Sequence, residues 1–152
     1  MIIYQKDAQN IVTLTIDGSD EHQFNAVCED FFVDLNLHLN TIKKDKSAKG
    51  VILTSKRRSF LTGSDLDTIF KINEAQPAFD FIERRKKVLR KLENLTIPVV
   101  AAINGDATGS GMEVVLACHH SIVKSSKEHQ YGLPEVNFGV LPALGGDTIK
   151  PR

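Results

Sequence analysis

At 152 residues the chain is long enough for one domain that buries about two-thirds of its unfolded surface. Hydrophobic residues at 41% and charged residues at 25% exclude a disordered or fibrous chain. Nineteen basic residues cancel nineteen acidic ones, so no long-range field favours nucleic acid or an anionic membrane surface.

Ile2, Ile3 and Tyr4, and the run from Ile11 to Ile16, are rich in β-branched residues and predict a strand pair. The Asp-Gly-Ser-Asp of residues 17–20 predicts a turn. From Ala26 to about Ile42, Val27, Phe31, Leu35 and Leu39 recur at helical spacing, so an amphipathic helix is expected, closed by cationic Lys43 and Lys44. Residues 50–55 are a short apolar run that predicts a strand buried on both faces. The triplet Lys56-Arg57-Arg58 then reads either as a solvated turn or as a phosphate contact. Residues 67–78 lack periodicity and contain Pro77, which predicts a mobile loop. A charged helix is expected over 79–95, with Phe81, Ile82, Val88, Leu89 and Leu92 on its inner side.

The apolar run 97–103 breaks at Asn104-Gly105, and a helix is expected to open at Gly109. Ser121, Ile122 and Val123 predict a short strand, 125–130 a polar connector, and 140–146 a loop leading to a helix near Asp147. No sequence repeat or low-complexity linker divides the chain. Cys28 and Cys118 are too few and too far apart for a disulfide framework or a metal site, so buried reduced thiols in a cytoplasmic protein are expected. No apolar run approaches the ~20 residues of a membrane-spanning helix. The N-terminal residues Gln5, Lys6 and Asp7 do not fit a signal peptide. His119 and His120 are adjacent, so on a strand they face opposite ways. Without acidic or cysteine partners at useful spacing they predict structural roles and no metal.

Two carboxylates stand in unusual settings. Glu113 follows Gly109-Ser110-Gly111-Met112, which places it in the first turn of the expected helix, beside free backbone N–H groups and the positive end of the helix dipole. Glu135 closes Gly132-Leu133-Pro134-Glu135. Alone, a glutamate near a helix N-terminus is a charge–dipole contact worth ~0.3–1 kcal/mol, and a Pro-Glu after a strand is a turn.

The runs IPVVAAINGDATGSGMEVVLACHHSIV and GLPEVNFGVLPALGG resemble the signature region of the enoyl-CoA hydratase/isomerase (crotonase) superfamily. The block from Phe60 to Leu66, preceded by Val51 to Ser55, resembles that family's strand and thioester-binding loop, and Phe24-Asn25-Ala26 adds a weaker third block. The start of the chain most resembles the N-terminal hydratase domain of bacterial multifunctional fatty-acid oxidation subunits. The resemblance implies an α/β fold, a repeated ββα superhelix (spiral) spanning residues 1–152 as a single domain. It also implies that the family's C-terminal helical segment is lacking, so that the domain is truncated.

By the same resemblance, Glu113 activates a water and Glu135 delivers a proton to C2 of a 2-enoyl-CoA. The backbone N–H groups of Ser64 and Ser110 form an oxyanion hole, and their hydroxyls are expected to be idle. Phe60, Gly63, Asp65, Leu66, Gly109 and Gly111 hold the thioester; in the phosphate-contact reading of Lys56-Arg57-Arg58, the phosphates are those of coenzyme A. Ser110 replaces the family's usual glycine; its Cβ would narrow the slot, or be excluded if the turn needs a positive φ. The implied activity is hydration in fatty-acid β-oxidation. Δ3-Δ2 enoyl-CoA isomerisation and a non-catalytic acyl-CoA-binding or assembly module are the alternatives. No cofactor is expected beyond the coenzyme A of the substrate. The implied partners are an acyl-CoA thioester and either a second copy of the chain or the rest of a larger multifunctional chain.

Overall fold

The computed structural model describes residues 1–18, 25–64 and 71–146. The β-branched runs form the expected antiparallel pair, β1 (Ile2–Lys6) and β2 (Ile11–Ile16). Asp7 closes the turn between them, its Oδ1 accepting from the amides of Gln9 at 2.9 Å and Ile11 at 2.8 Å.

From β2 onward the chain repeats one three-step path. A strand enters a first sheet, the next strand enters a second sheet, and a helix returns the chain. The first pass is β2, β3 (Ala26–Val27) and α1 (Glu29–Lys44). The second is β4 (Gly50–Ser55), β5 (Leu61–Ser64) and α2 (Ala75–Glu93). The third is β6 (Val99–Ile103), β7 (Ala107–Thr108) and α3 (Ser110–Leu116). The fourth runs through β8 (His120–Val123), β9 (Tyr131–Gly132) and a 3-10 helix, Glu135–Phe138. The sheets have the orders β1-β2-β4-β6-β8 and β3-β5-β7-β9, and every pairing after β1–β2 is parallel. This is the expected ββα spiral. It is a repeat of path and not of residues, because parallel neighbours need a crossover each time but do not require the same side chains in it.

Parallel register stacks the core in rows. Val12, Val51 and Val99 form one row, and Leu14, Leu53 and Ala101 another, all essentially buried. Each such leucine or valine contributes roughly 1.5–3 kcal/mol by leaving water. β4 departs from the expected two-sided burial: Val51, Leu53 and Ser55 are buried, whereas Ile52 and Thr54 are only half-buried. The same alternation runs through β2 and β6. One face of the first sheet meets the core, while the other lacks a covering layer among the described residues.

Two helix boundaries differ from expectation. Ala26 and Val27 are strand, paired to Thr62 and Ser64 of β5, and α1 begins only at Glu29. Apolar residues at 27 and 31 satisfy a helical period, but sheet pairing takes the first of them. α2 begins at Ala75 and runs through Pro77, so residues 75–78 are helix and not loop; 67–70 lie outside the described residues. Proline costs little in a first turn, where its missing N–H would have no intrahelical acceptor. On the inner side of α2, Phe81, Leu89 and Leu92 are buried as expected, but Ile82 and Val88 are half-buried and Arg85 is buried between them. The Arg85 guanidinium stacks 3.6 Å from the Phe81 ring centroid and pairs with Glu29 of α1 at 3.5 Å.

His119 is structural. Its Nδ1 accepts from Val99 N at 3.0 Å, which leaves Nε2–H to donate to Glu93 O at 2.9 Å. Both cysteines are free thiols, and burial pushes Cys118 up to about 12. Native protein at pH 8 is therefore expected to resist iodoacetamide at Cys118 and to label there only when unfolded, because the thiolate is the nucleophile. Labelling at equal rates in native and urea-unfolded protein, followed by peptide mass spectrometry, would overturn this.

Candidate functional site

Register decides what meets what in the second sheet. Leu61 pairs with Ala107 and Ala107 with Tyr131; Thr62 pairs with Thr108 and Thr108 with Gly132. The segments at the C-terminal ends of these three strands therefore lie side by side. They are Gly63-Ser64, Gly109-Ser110 and Leu133-Pro134-Glu135, three blocks separated by dozens of residues in the chain. The C-terminal ends of parallel strands are where open α/β sheets take their ligands.

Gly109 is the pivot. Its φ of 56° and ψ of −131° lie where a side chain is strained, and its N–H donates to Gly132 O at 2.9 Å. A Cβ on it would stand 3.1 Å from Glu135 Oε1 and 3.5 Å from Gly63 Cα. The positive φ belongs to Gly109 and not to Ser110, which is the first residue of α3. The concern that serine would be excluded at 110 is thereby corrected. As the first helical residue, Ser110 has no intrahelical acceptor for its N–H. The two hydroxyls are not idle either: Ser64 Oγ and Ser110 Oγ are hydrogen-bonded at 2.7 Å.

Glu113 lies one turn into α3 and is 1% exposed. Its N–H donates to Gly109 O at 3.1 Å, and its Oε1 accepts from Leu144 N at 2.8 Å and Gly146 N at 2.9 Å. Two amide donors on one oxygen stabilise an ionised carboxylate and orient it. The loop over 140–146 is thus the clasp of this side chain. Gly146 leaves room for it, since a Cβ there would press on Glu113 Cγ at 3.0 Å. Glu135 begins the 3-10 helix; its Oε2 is buried without a hydrogen-bond partner among the described residues. A buried orphan oxygen of this kind calls for a water or a substrate atom.

A model of the enoyl-CoA hydratase/isomerase family matches residues 6–152. The chain belongs to the enoyl-CoA hydratase/isomerase family. Curated relatives include the fatty acid oxidation complex subunit alpha of Shewanella frigidimarina, 38% identical over 143 residues, which are 93% of this chain and 20% of the relative. That of Idiomarina loihiensis is 33% identical over 147 residues, 96% of this chain and 20% of the relative. The chain spans about one fifth of the length of these relatives. Among solved structures, the enoyl-CoA hydratase from Bacillus anthracis superposes with a TM-score of 0.85 at 28% identity, over 97% of this chain and 55% of that one. DspI from Pseudomonas aeruginosa gives 0.85 at 26%, over 97% and 58%.

In this member of the enoyl-CoA hydratase/isomerase family, Gly63, Ser64, Gly109, Ser110 and Glu135 gather at one sheet edge, with Glu113 one helical turn behind Gly109. Asp65 and Leu66 lie outside the described residues. Phe60 is fully buried in the core, and its N–H donates to Asp106 O at 2.9 Å. It anchors the start of β5 from beneath. Gly111 is a packing position: a Cβ there would come within 1.9 Å of Leu61 O. In the basic triplet, Lys56 pairs with Asp17 at 2.9 Å and Arg57 with Asp17 at 3.1 Å, while Arg58 is exposed. The Lys56 hydrogen bond, with Arg57 adding to it, holds the half-buried Asp17 carboxyl below its usual value.

One residue of the site's support, named above only within a block of the resemblance, had been given no role. Asn25 is fully buried; its amide nitrogen donates to Ser55 Oγ at 2.8 Å and Phe60 O at 3.2 Å, and its Oδ1 accepts from Gly18 N at 3.0 Å. Its backbone oxygen takes Thr62 N at 2.7 Å. It ties the ends of β2 and β4 to β5, the strand that ends in Ser64. The signal was present, an asparagine beside apolar Ala26 and Val27, but its partners are remote in sequence.

A cavity of about 920 Å³ lies elsewhere, between the C-terminal ends of α1 and α2. Two of its lysines are held by neighbours, Lys86 by Glu83 and Lys91 by Asn36. Volume favours it, but no acid–base constellation lines it, so the sheet edge is the stronger site.

Proposed function

We propose that the chain is an enoyl-CoA hydratase domain, adding water across the C2–C3 double bond of a 2-enoyl-CoA thioester in fatty-acid β-oxidation. The observation that carries the reading is the convergence of Ser64, Ser110 and Glu135 at one sheet edge, with Glu113 clasped beside them. The thioester oxygen gains negative charge as water attacks C3, and the N–H groups of Ser64 and Ser110 receive it. One such donor is typically worth about 3 kcal/mol of barrier. Glu113, oriented by the Leu144 and Gly146 amides, takes a proton from the attacking water. Glu135 gives a proton to C2 through its unpartnered oxygen. Each need is met by main chain or carboxyl, so we propose no resident cofactor or metal.

The names of the fatty acid oxidation relatives and of the Bacillus anthracis hydratase support this reading. So does the family match over nearly the whole chain. A second reading, Δ3-Δ2 isomerisation, is supported by Glu135 Oε2, a buried oxygen without a hydrogen-bond partner among the described residues. That oxygen could carry a proton between C2 and C4.

As further parts of the proposal, the domain works in a cytoplasmic protein and within a larger assembly, either a multifunctional chain or a homo-oligomer. No helix among the described residues is long and apolar enough to cross a membrane. The support for assembly is an apolar surface beside the site: Val136, Phe138 and Leu141 are 80%, 76% and 82% exposed.

Ser110→Pro tests the oxyanion assignment. Proline fits the first position of a helix while deleting the N–H. The expected result is a folded protein whose hydration of crotonyl-CoA, followed by loss of enoyl-thioester absorbance, falls about a hundredfold or more. A folded variant with wild-type turnover would remove Ser110 from the hole.

A further inference from the structure

We propose that the Ser64 and Ser110 hydroxyls form a positioning clamp that sets the spacing of the two oxyanion donors. The inference rests on the N–H assignment made above and extends it to side chains which that assignment does not use.

The β5–β7 ladder ends at the pair Thr62–Thr108. Immediately after it both strands turn away from extended geometry, at Gly63 with φ of 34° and Gly109 with φ of 56°. The two donor amides therefore sit past the last backbone pairing between β5 and β7, with Ser64 paired instead to Val27 of β3 and Ser110 opening α3. There Ser64 Oγ and Ser110 Oγ are cross-linked by a hydrogen bond of 2.7 Å, in a partly buried position. An oxyanion hole works by holding its donors where charge will develop, so that no reorganisation is needed at the moment of reaction. A short hydroxyl–hydroxyl bond between the two donor residues limits how far they can part. Serine at 110 is in this light a partner to serine at 64, and each is useful only with the other. Ser110→Gly is therefore expected to lower activity although it removes the Cβ that narrows the slot, because glycine deletes half of the clamp.

The test uses a thioester that cannot be hydrated. [1-13C]butyryl-CoA is bound to the wild type, Ser64→Ala, Ser110→Ala and the double variant, and the labelled carbonyl band is read by difference infrared spectroscopy. Crotonyl-CoA hydration and thermal melting are measured in parallel. The wild type is expected to move the band to lower wavenumber, and each alanine variant to lose about half of that movement while still binding. Turnover is expected to fall roughly three- to tenfold, the scale of one hydrogen bond, with KM within about twofold. The double variant should be no worse than either single one, since one bond is lost in all three. Ser64→Thr, which keeps a hydroxyl, should restore band and turnover.

Alanine variants with the full band shift, or losses that add in the double variant, would overturn the clamp and leave the N–H assignment standing. A wild type that binds butyryl-CoA with no band shift, or does not bind it, would overturn the N–H assignment and the clamp with it. A melting temperature that falls while the band and the kcat stay at wild-type values would reduce the pair to a structural contact.

Discussion

Glu113→Gln and Glu135→Gln are each expected to lower hydration of crotonyl-CoA by at least about a hundredfold, the usual scale for a positioned acid or base. The two substitutions should differ in what survives. Glutamine at 113 can still accept from the Leu144 and Gly146 amides through its carbonyl oxygen, so the clasp over residues 140–146 should persist and the protein should melt near the wild-type temperature. What is lost is the negative oxygen that takes a proton from water. Glutamine at 135 places an amide where the buried unpartnered oxygen stood, and it has no acidic proton to deliver. If both readings of the site are correct, a 3-enoyl-CoA should still isomerise in Glu113→Gln and fail to in Glu135→Gln. Wild-type hydration in either variant would sink the two-carboxylate mechanism, and the assay is best run on whichever form of the protein turns over.

Gly111→Ala is expected to destabilise the fold by roughly 1–3 kcal/mol or more, the range for overpacking a rigid interior. The added methyl would come within 1.9 Å of Leu61 O and 2.5 Å of Leu61 C, both backbone atoms of β5 with no rotamer to yield. Relief requires α3 to move off the strand. That movement would part Ser110 from Ser64, so surviving folded protein should also lose activity beyond what its folded fraction explains. Denaturant midpoints and turnover per folded molecule check the two halves separately. An unchanged midpoint would mean that α3 and β5 are less tightly apposed than the geometry shows.

The elements that sequence reasoning placed well were those whose own residues decide them. β2 and β4 carry β-branched residues in numbers that suit little else, and the breaks at Asp17-Gly18 and at Asn104-Gly105 follow from turn chemistry. The misplaced boundaries share a cause. Val27 satisfies the period of α1, and only the presence of Thr62 and Ser64 alongside turns it into strand. Pro77 looks like a barrier until it falls in the first turn of α2. Arg85 looks solvated until two phenylalanines and Glu29 surround it.

The candidate site divides in the same way. Glu113, Glu135 and the glycines around 109 were legible because carboxylates and glycine turns have narrow chemical uses, and a resemblance over the same blocks assigned them roles. The amino-acid sequence by itself determined the fold class, the family and the identity of the chemical groups. The tertiary structure alone decided their arrangement. The parallel register of β5, β7 and β9 brings Ser64, Ser110 and Glu135 to one edge, the loop over 140–146 clasps Glu113, and two hydroxyls expected to be idle meet at 2.7 Å. The physical reason is range. Periodicity and turn propensity are set by neighbours a few residues away, whereas a hydrogen bond between residues 64 and 110 depends on sheet register and on where a glycine allows the chain to turn.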